Sequence, residues 1–189
     1  LILPLLVEQL LAITVGMADS FMVSSDGEAA VSGVSLVDTI FVLLINIFTA
    51  LATGGAVVCG QYLGKKRPEQ ACKAADQLVL ATCGLSMLVM ALMYLLRTFI
   101  LNVVFGHIEQ DVWNNCNTYF LIVSASIPFI SMYNAGAAIF RAQGDSKTPM
   151  KMSLIMNVIN IIGNGILLYG FHMGVEGAAI PTLISRIFA

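Results

Sequence analysis

Leu3–Ser24, LPLLVEQLLAITVGMADSFMVS, is an apolar run that carries only two charges, Glu8 and Asp19. Wound as a helix at about 1.5 Å per residue it spans roughly 33 Å, the thickness of a bilayer core. An ionised carboxylate at that depth costs about 2.5 kcal/mol or more unless partners or water receive it. Asp19 therefore reads first as a functional acid, a cation site or a proton relay. The next question is whether other helices bring partners to the same depth.

The rest of the chain agrees with a membrane reading. Of 189 residues 58% are hydrophobic and 11% charged, with a mean hydropathy of +0.89, whereas soluble domains carry about 25% charged residues. No basic face or nucleic-acid motif is present, which argues against a nucleic-acid partner. Cys59, Cys72, Cys83 and Cys116 form no CxxC and no zinc spacing, so they read as small packing residues. No signal peptide is visible. The chain starts at Leu1 without Met and stops at Ala189 inside an apolar run, so we expect a fragment of a longer protein.

Six apolar segments follow from the pattern, at about 1–24, 30–63, 69–100, 110–141, 149–169 and 175–189, the last truncated. The second exceeds a simple span of ~20 residues and must tilt, bend or protrude. The third starts amphipathically (EQACKAADQ), and Pro128 should kink the fourth. Lys65, Lys66, Arg67 and Lys73 flank the 2–3 loop, and Arg141, Lys147 and Lys151 flank the 4–5 loop. The 1–2 and 5–6 loops carry no Lys or Arg, and Arg97 alone is near the 3–4 loop. The positive-inside rule then places the 2–3 and 4–5 loops and the N-terminus in the cytoplasm.

With that orientation the polar residues of the spans fall into one slab. Asp19 lies roughly 8 Å below the outer interface, Asn164 and Asn160 on the fifth segment roughly 9 and 15 Å, Thr182 on the sixth roughly 10 Å, and Asp38 on the second about 12 Å. Asn160 and Asn164 are i, i+4 on one helix face, and Asn157 extends it. A carboxylate with amide and hydroxyl oxygens suits Na⁺, or a protonatable carboxyl with hydrogen-bond partners. Each amide taken alone also fits a plain interhelical hydrogen bond. Equal depth across several helices moves the balance to a shared site.

The same residues carry a resemblance. Pro4 and Asp19 are similar to the proline and acid of the first helix of multidrug and toxic compound extrusion (MATE) transporters. Ala52-Thr53-Gly54-Gly55-Ala56 with Gly60-Gln61-Tyr62-Leu63-Gly64 resembles their second-helix end. Phe140–Pro149 (FRAQGDSKTP) resembles their R-x-x-G-D-x-x-x-P loop. Asn157–Asn164 and Gly174–Thr182 (GVEGAAIPT) resemble the fifth helix and the start of the sixth. The resemblance implies one six-helix lobe of a twelve-helix, pseudo-twofold, all-α membrane transporter, with a C-terminal lobe as the missing partner. It implies export of cationic or amphipathic small molecules, coupled to inward H⁺ or Na⁺ flow, with no other cofactor and no enzymatic activity. It implies a cation site made of Asp19, Asn160, Asn164 and Thr182. Many members carry an acid on the fifth helix where this chain has Asn164; we expect Asp38 to supply the missing charge, which is not a family motif.

Other polar residues have plainer readings beside functional ones. Glu8, about three turns from Asp19 on the same helix face, could be a relay, a substrate contact or a wet end-of-span carboxylate. Gln61 reads as interfacial. Arg141 and Asp145 are expected to shape a loop and its salt bridge. His107 and His172 fall in outer loops, where interfacial residence is the plain reading and a shared metal the alternative. Met87, Met90 and Met93 mark a spaced stripe, for packing or for adaptable drug contact. A flippase of lipid-linked oligosaccharides is the competing function, but it would favour a cationic cavity, and apart from Lys73, Arg97, Arg141 and Lys151 near the segment ends the spans hold no Lys or Arg except Arg186. An Asp19–Asp38 dyad would mark an intramembrane protease. A purely structural subunit would tolerate Asp19→Asn.

Overall fold

A computed structural model describes residues 2–24, 27–105 and 109–189. Among the described residues seven α-helices follow in order: α1 (Ile2–Val23), α2 (Glu28–Gly64), α3 (Pro68–Phe105), α4 (Gln110–Ser124), α5 (Ile127–Ala142), α6 (Lys147–Asn164) and α7 (Val175–Phe188). Gly165–Gly170, directly after α6, is wound as a π-helix. Four helical stretches are long and apolar enough to cross a membrane: Leu6–Val23, Glu28–Gly64, Pro68–Val103 and Lys147–Gly170. The α4–α5 pair is a fifth if taken as one bent span. α7, with 14 residues, is shorter than the ~20 a span requires. Each helix falls on one of the six expected apolar stretches, with both α4 and α5 on the fourth.

The fourth expected segment is two helices. α4 ends at Ser124, Ala125 and Ser126 form a turn, and α5 leaves at 47°. Pro128 sits at the start of α5, where its missing N–H is harmless; continued inside one helix, its ring would clash with the Ser124 carbonyl. Ser126 Oγ donates to the Val123 carbonyl at 2.6 Å, closing the end of α4. At the other sharp corner Pro68 opens α3, and Lys66 takes the left-handed backbone (φ 56°) that turns the chain between α2 and α3.

In a bilayer the lipid is as apolar as a leucine side chain, so helices associate through close packing and polar bonds rather than by escaping solvent. α2 is the central pillar. Val34, Val37, Phe41 and Phe48 pack with Cys116, Phe120 and Val123 of α4 and with Ala178 and Ala179 of α7. Phe41 and Phe120 meet at a centroid distance of 5.9 Å, tilted 60°. A second, smaller-residue cluster joins Ala52 and Ala56 of α2 to Leu78 of α3 and Ala135 and Ala138 of α5. α1 lies on α6. Its outer face is apolar and bare, with Leu10, Ile13, Met17 and Phe21 (75% exposed) turned away from the bundle. Its inner face carries Asp19.

Gly163 fixes how closely α6 and α7 approach. A Cβ there would stand 2.6 Å from Cβ of Pro181, so a larger residue would push the two helices apart. That contact lies one residue from Asn164 and one from Thr182, and it sets the spacing of the polar site.

Candidate functional site

α6 turns Asn157, Asn160 and Asn164 onto one buried face, as their spacing requires. Asn164 is fully buried and its Nδ2 donates to Asp19 Oδ1 at 2.6 Å. The same Nδ2 donates to Asn160 Oδ1 at 3.3 Å. Asn160 Nδ2 donates to Thr182 Oγ1 at 3.0 Å, and that hydroxyl donates to the Ala178 carbonyl at 2.9 Å. One unbroken chain of hydrogen bonds therefore links α1, α6 and α7.

Two polar atoms in this network lack partners among the described residues: Asn164 Oδ1 and Asn157 Nδ2. A buried amide group left unpaired costs about 1–3 kcal/mol. The Asn164 carbonyl oxygen is held beside a carboxylate and has a free lone pair, which is what a small hard cation or a carboxyl proton would engage.

Asp38 on α2 faces the same space. Tyr119 Oη of α4 donates to its Oδ1 at 3.0 Å. Asp19, Asp38, Asn157, Asn160, Thr182 and Arg186 line one open cavity of about 330 Å³, and Asn164 forms the layer behind it. The two carboxylates have separate partners, an amide for Asp19 and a phenol for Asp38.

Glu8 stands apart from this cavity. α1 and α6 begin, and α2 and α5 end, at the basic end of the lobe. There both carboxylate oxygens of Glu8 accept from Arg141 Nη2, at 2.8 and 2.7 Å. Tyr133 Oη is within 3.3 Å of Glu8 Oε1 and 3.1 Å of the Pro149 carbonyl. Glu8 is ion-paired here and largely shielded from water, and it ties α1 to α5 beside the start of α6. Arg141 and Asp145 do not pair in the loop they flank. Asp145 accepts from the Lys147 and Thr148 N–H groups at 2.9 and 3.1 Å and from the Thr148 hydroxyl at 2.5 Å, so it caps the start of α6. The Thr148 hydroxyl, then its N–H, hold the Asp145 carboxyl below the usual carboxylate range.

The remaining candidates fall out as follows. Gln61 is exposed near the end of α2, and His172 is exposed with a left-handed backbone (φ 50°). His107 lies outside the described residues. Met93 is in the core while Met87 faces outward, so the methionines do not share one environment. The sequence reading missed Tyr119 and Tyr133. A phenol inside a span is a signal in itself, because its hydroxyl needs a partner there. Arg186 was noted as a lone charge but not placed at the site.

The MatE family model matches residues 4–166 of this chain. The chain belongs to the MatE family. An uncharacterized transporter, YisQ, of Bacillus subtilis is 28% identical over 97% of the MatE chain and 41% of its own length. A probable multidrug resistance protein, NorM, of Thermotoga maritima is 26% identical over 98% of this chain and 40% of its own. A solved outward-facing multidrug resistance MATE family transporter of the MOP superfamily superimposes with a TM-score of 0.91 at 22% identity, covering 98% of this chain and 41% of that one. The MatE chain thus spans about two fifths of the length of the curated relatives it matches, which is one lobe of the transporter fold.

Proposed function

We propose that this lobe is the N-terminal half of a cation-coupled antiporter that exports drugs or other amphipathic and cationic organic compounds across the cytoplasmic membrane. The observation that carries the reading is the Asp19–Asn164–Asn160–Thr182 chain, with an acid at one end and an unpartnered amide oxygen beside it. The relatives named for multidrug resistance support the substrate class.

The coupling logic is differential binding. With H⁺ or Na⁺ on Asp19 the site is close to neutral and tolerates a closed, dry lobe. Bare Asp19 carries a desolvation cost and favours a conformation that admits water. Cation entry changes the balance between the two, and the substrate leaves as the cavity reshapes. The Asn164 side chain can serve both states: its N–H₂ meets the bare carboxylate, and rotation of the amide presents Oδ1 to a cation or carboxyl proton. The N-terminus and the two basic turns lie in the cytoplasm, in keeping with the Lys and Arg distribution.

The flippase reading is weaker, because the cavity presents two carboxylates against one guanidinium, a poor host for a pyrophosphate. Efflux by the full-length protein with Asp19→Asn tests the proposal. We expect loss of ion-driven export with normal membrane insertion; export at the parental rate with unchanged ion dependence would overturn it. Cysteines placed at Lys66 and Lys147 should resist labelling from outside the cell, and ready labelling would reverse the orientation.

A further inference from the structure

Arg186 is the charge the coupling scheme above does not use. It projects from the last turn of α7 and lines the cavity of Asp19 and Asp38 as well as a neighbouring cavity of about 320 Å³ that also holds Tyr133. Its Nη1 donates to Ser126 Oγ at 2.7 Å, and that hydroxyl in turn donates a hydrogen bond to the Val123 carbonyl. Ser126 belongs to the two-residue turn that breaks α4 from α5, so the break supplies the anchor. Among the described residues the ion pair within 4 Å is Glu8–Arg141, and Arg186 makes none with either cavity carboxylate. It nevertheless lines the same cavity as Asp38 and Asp19. The guanidinium is held beside the acids and away from direct contact with them.

We propose that Arg186 is the fixed countercharge of the Asp19–Asp38 cavity and limits the site to one monovalent cation. The count is short. Around the cavity α1 contributes Asp19, α2 Asp38, α4 the neutral phenol of Tyr119 and α7 Arg186, while α6 contributes only the amides of Asn157 and Asn160. On its other side Arg186 faces the neutral phenol of Tyr133 on α5. Two carboxylates and a guanidinium that does not deprotonate leave one net negative charge. One H⁺ or Na⁺ makes the cavity neutral. Without Arg186 it would take two, since uncompensated charge is what a dry interior rejects. Asn157, buried and lining the cavity, holds an unpartnered Nδ2 donor, which suits a polar occupant able to accept a hydrogen bond, such as water that accompanies the cation. Anchoring on Ser126 keeps the guanidinium from closing on the acids and replacing the cation. This deepens the antiport reading and rests on it.

A charge cycle tests the count in the full-length protein. The readout is the heat-unfolding midpoint across a Na⁺ series at fixed pH and across a pH series without Na⁺. Stabilisation grows with the logarithm of cation concentration in proportion to the number bound, and titrating groups elsewhere cancel within the cycle. The parent should show a slope of one cation, Arg186→Gln a slope of two, and Arg186→Lys one again. Asp38→Asn leaves the empty cavity neutral, so half-saturation should rise at least about tenfold although Asp19 is intact. Asp38→Asn with Arg186→Gln restores one negative charge and should return to the parental curve. A merely structural arginine would not be rescued by removing an acid on another helix. Arg186→Gln with the parental slope and half-saturation overturns the proposal, as does a double variant no nearer the parent than Asp38→Asn. If Arg186→Gln alone does not fold, the double variant carries the test. The underlying reading fails separately: a parent with no cation response, or Asp19→Asn with the parental response, removes the cation site itself.

Discussion

α1 carries two carboxylates about three helical turns apart, and the lobe treats them in opposite ways. Glu8, at the basic end, accepts on both carboxylate oxygens from one guanidinium nitrogen, Arg141 Nη2, and lies near a tyrosine. Asp19, toward the far end, is met by one amide N–H₂ while an amide oxygen beside it goes unpaired. A carboxylate with a full cationic partner has little to gain from a mobile cation. One with only a dipole does. The same residue class on one helix is thus a clamp at one end and a candidate coupling group at the other, and the neighbours decide which.

The comparison breaks most sharply at the carboxylates themselves. Asp19→Asn should abolish cation-driven efflux yet leave the unfolding midpoint near that of the cation-free parent, whereas Glu8→Gln should keep coupled efflux and lower the midpoint. Parallel efflux and melting assays on the full-length protein separate the two, and coupling lost equally in both would erase the distinction. Asn164→Ala should weaken coupling less than Asp19→Asn, because it removes a dipole and not a charge.

Arg141→Gln asks how much the clamp contributes. It leaves Glu8 half-buried without its partner, at 15% exposure. Losing one member of a fully buried pair costs about 3–5 kcal/mol; with water reaching this one we expect about 1–3. The double variant Glu8→Gln/Arg141→Gln should recover part of that loss in denaturant unfolding. A double variant as unstable as the two losses added together would mean that the groups do not interact.

Gly163→Ala sharpens the other half. The new methyl meets the Pro181 ring, so α6 and α7 must part, at about 1–3 kcal/mol for overpacking. Because Asn160 and Thr182 lie across the same seam, cation affinity should fall along with stability. Gly136→Ala on α5, with open space at its Cβ position, should change neither. Equal melting of the two variants would remove Gly163 from the account.

The smallest effect expected is at Asp145, which is clamped like Glu8 but by local N–H groups and a hydroxyl on an exposed turn. Its carboxyl is held below the usual range, so its contribution is complete above the unfolded value of about 3.9 and fades as pH falls through the lower folded value. The midpoint difference between parent and Asp145→Asn should therefore be constant above about pH 5 and shrink below about pH 4. A difference that grew on acidification would contradict the capping role.

Asp19, Asn160, Asn164 and Thr182 could be brought to one level from sequence because depth along a helix is a local quantity, residue count times rise. The shared face of Asn157, Asn160 and Asn164 was legible for the same reason, as was a bend near Pro128, although the expected kink within one helix is a break between two. Partners across the bundle were not. Glu8 lies 133 residues from Arg141, and Asp38 81 residues from Tyr119. Such pairings depend on the rotation of each helix about its axis, and that rotation is set by where small residues such as Gly163 let helices close. Arg186 shows the division most plainly. Its sequence position marked it as an unusual charge in an apolar segment, a matter of composition and length. That it is anchored at the α4–α5 break and shares a cavity with two acids came only from the packing of α7 against α4, because the direction of a side chain inside a bundle is a property of its neighbours.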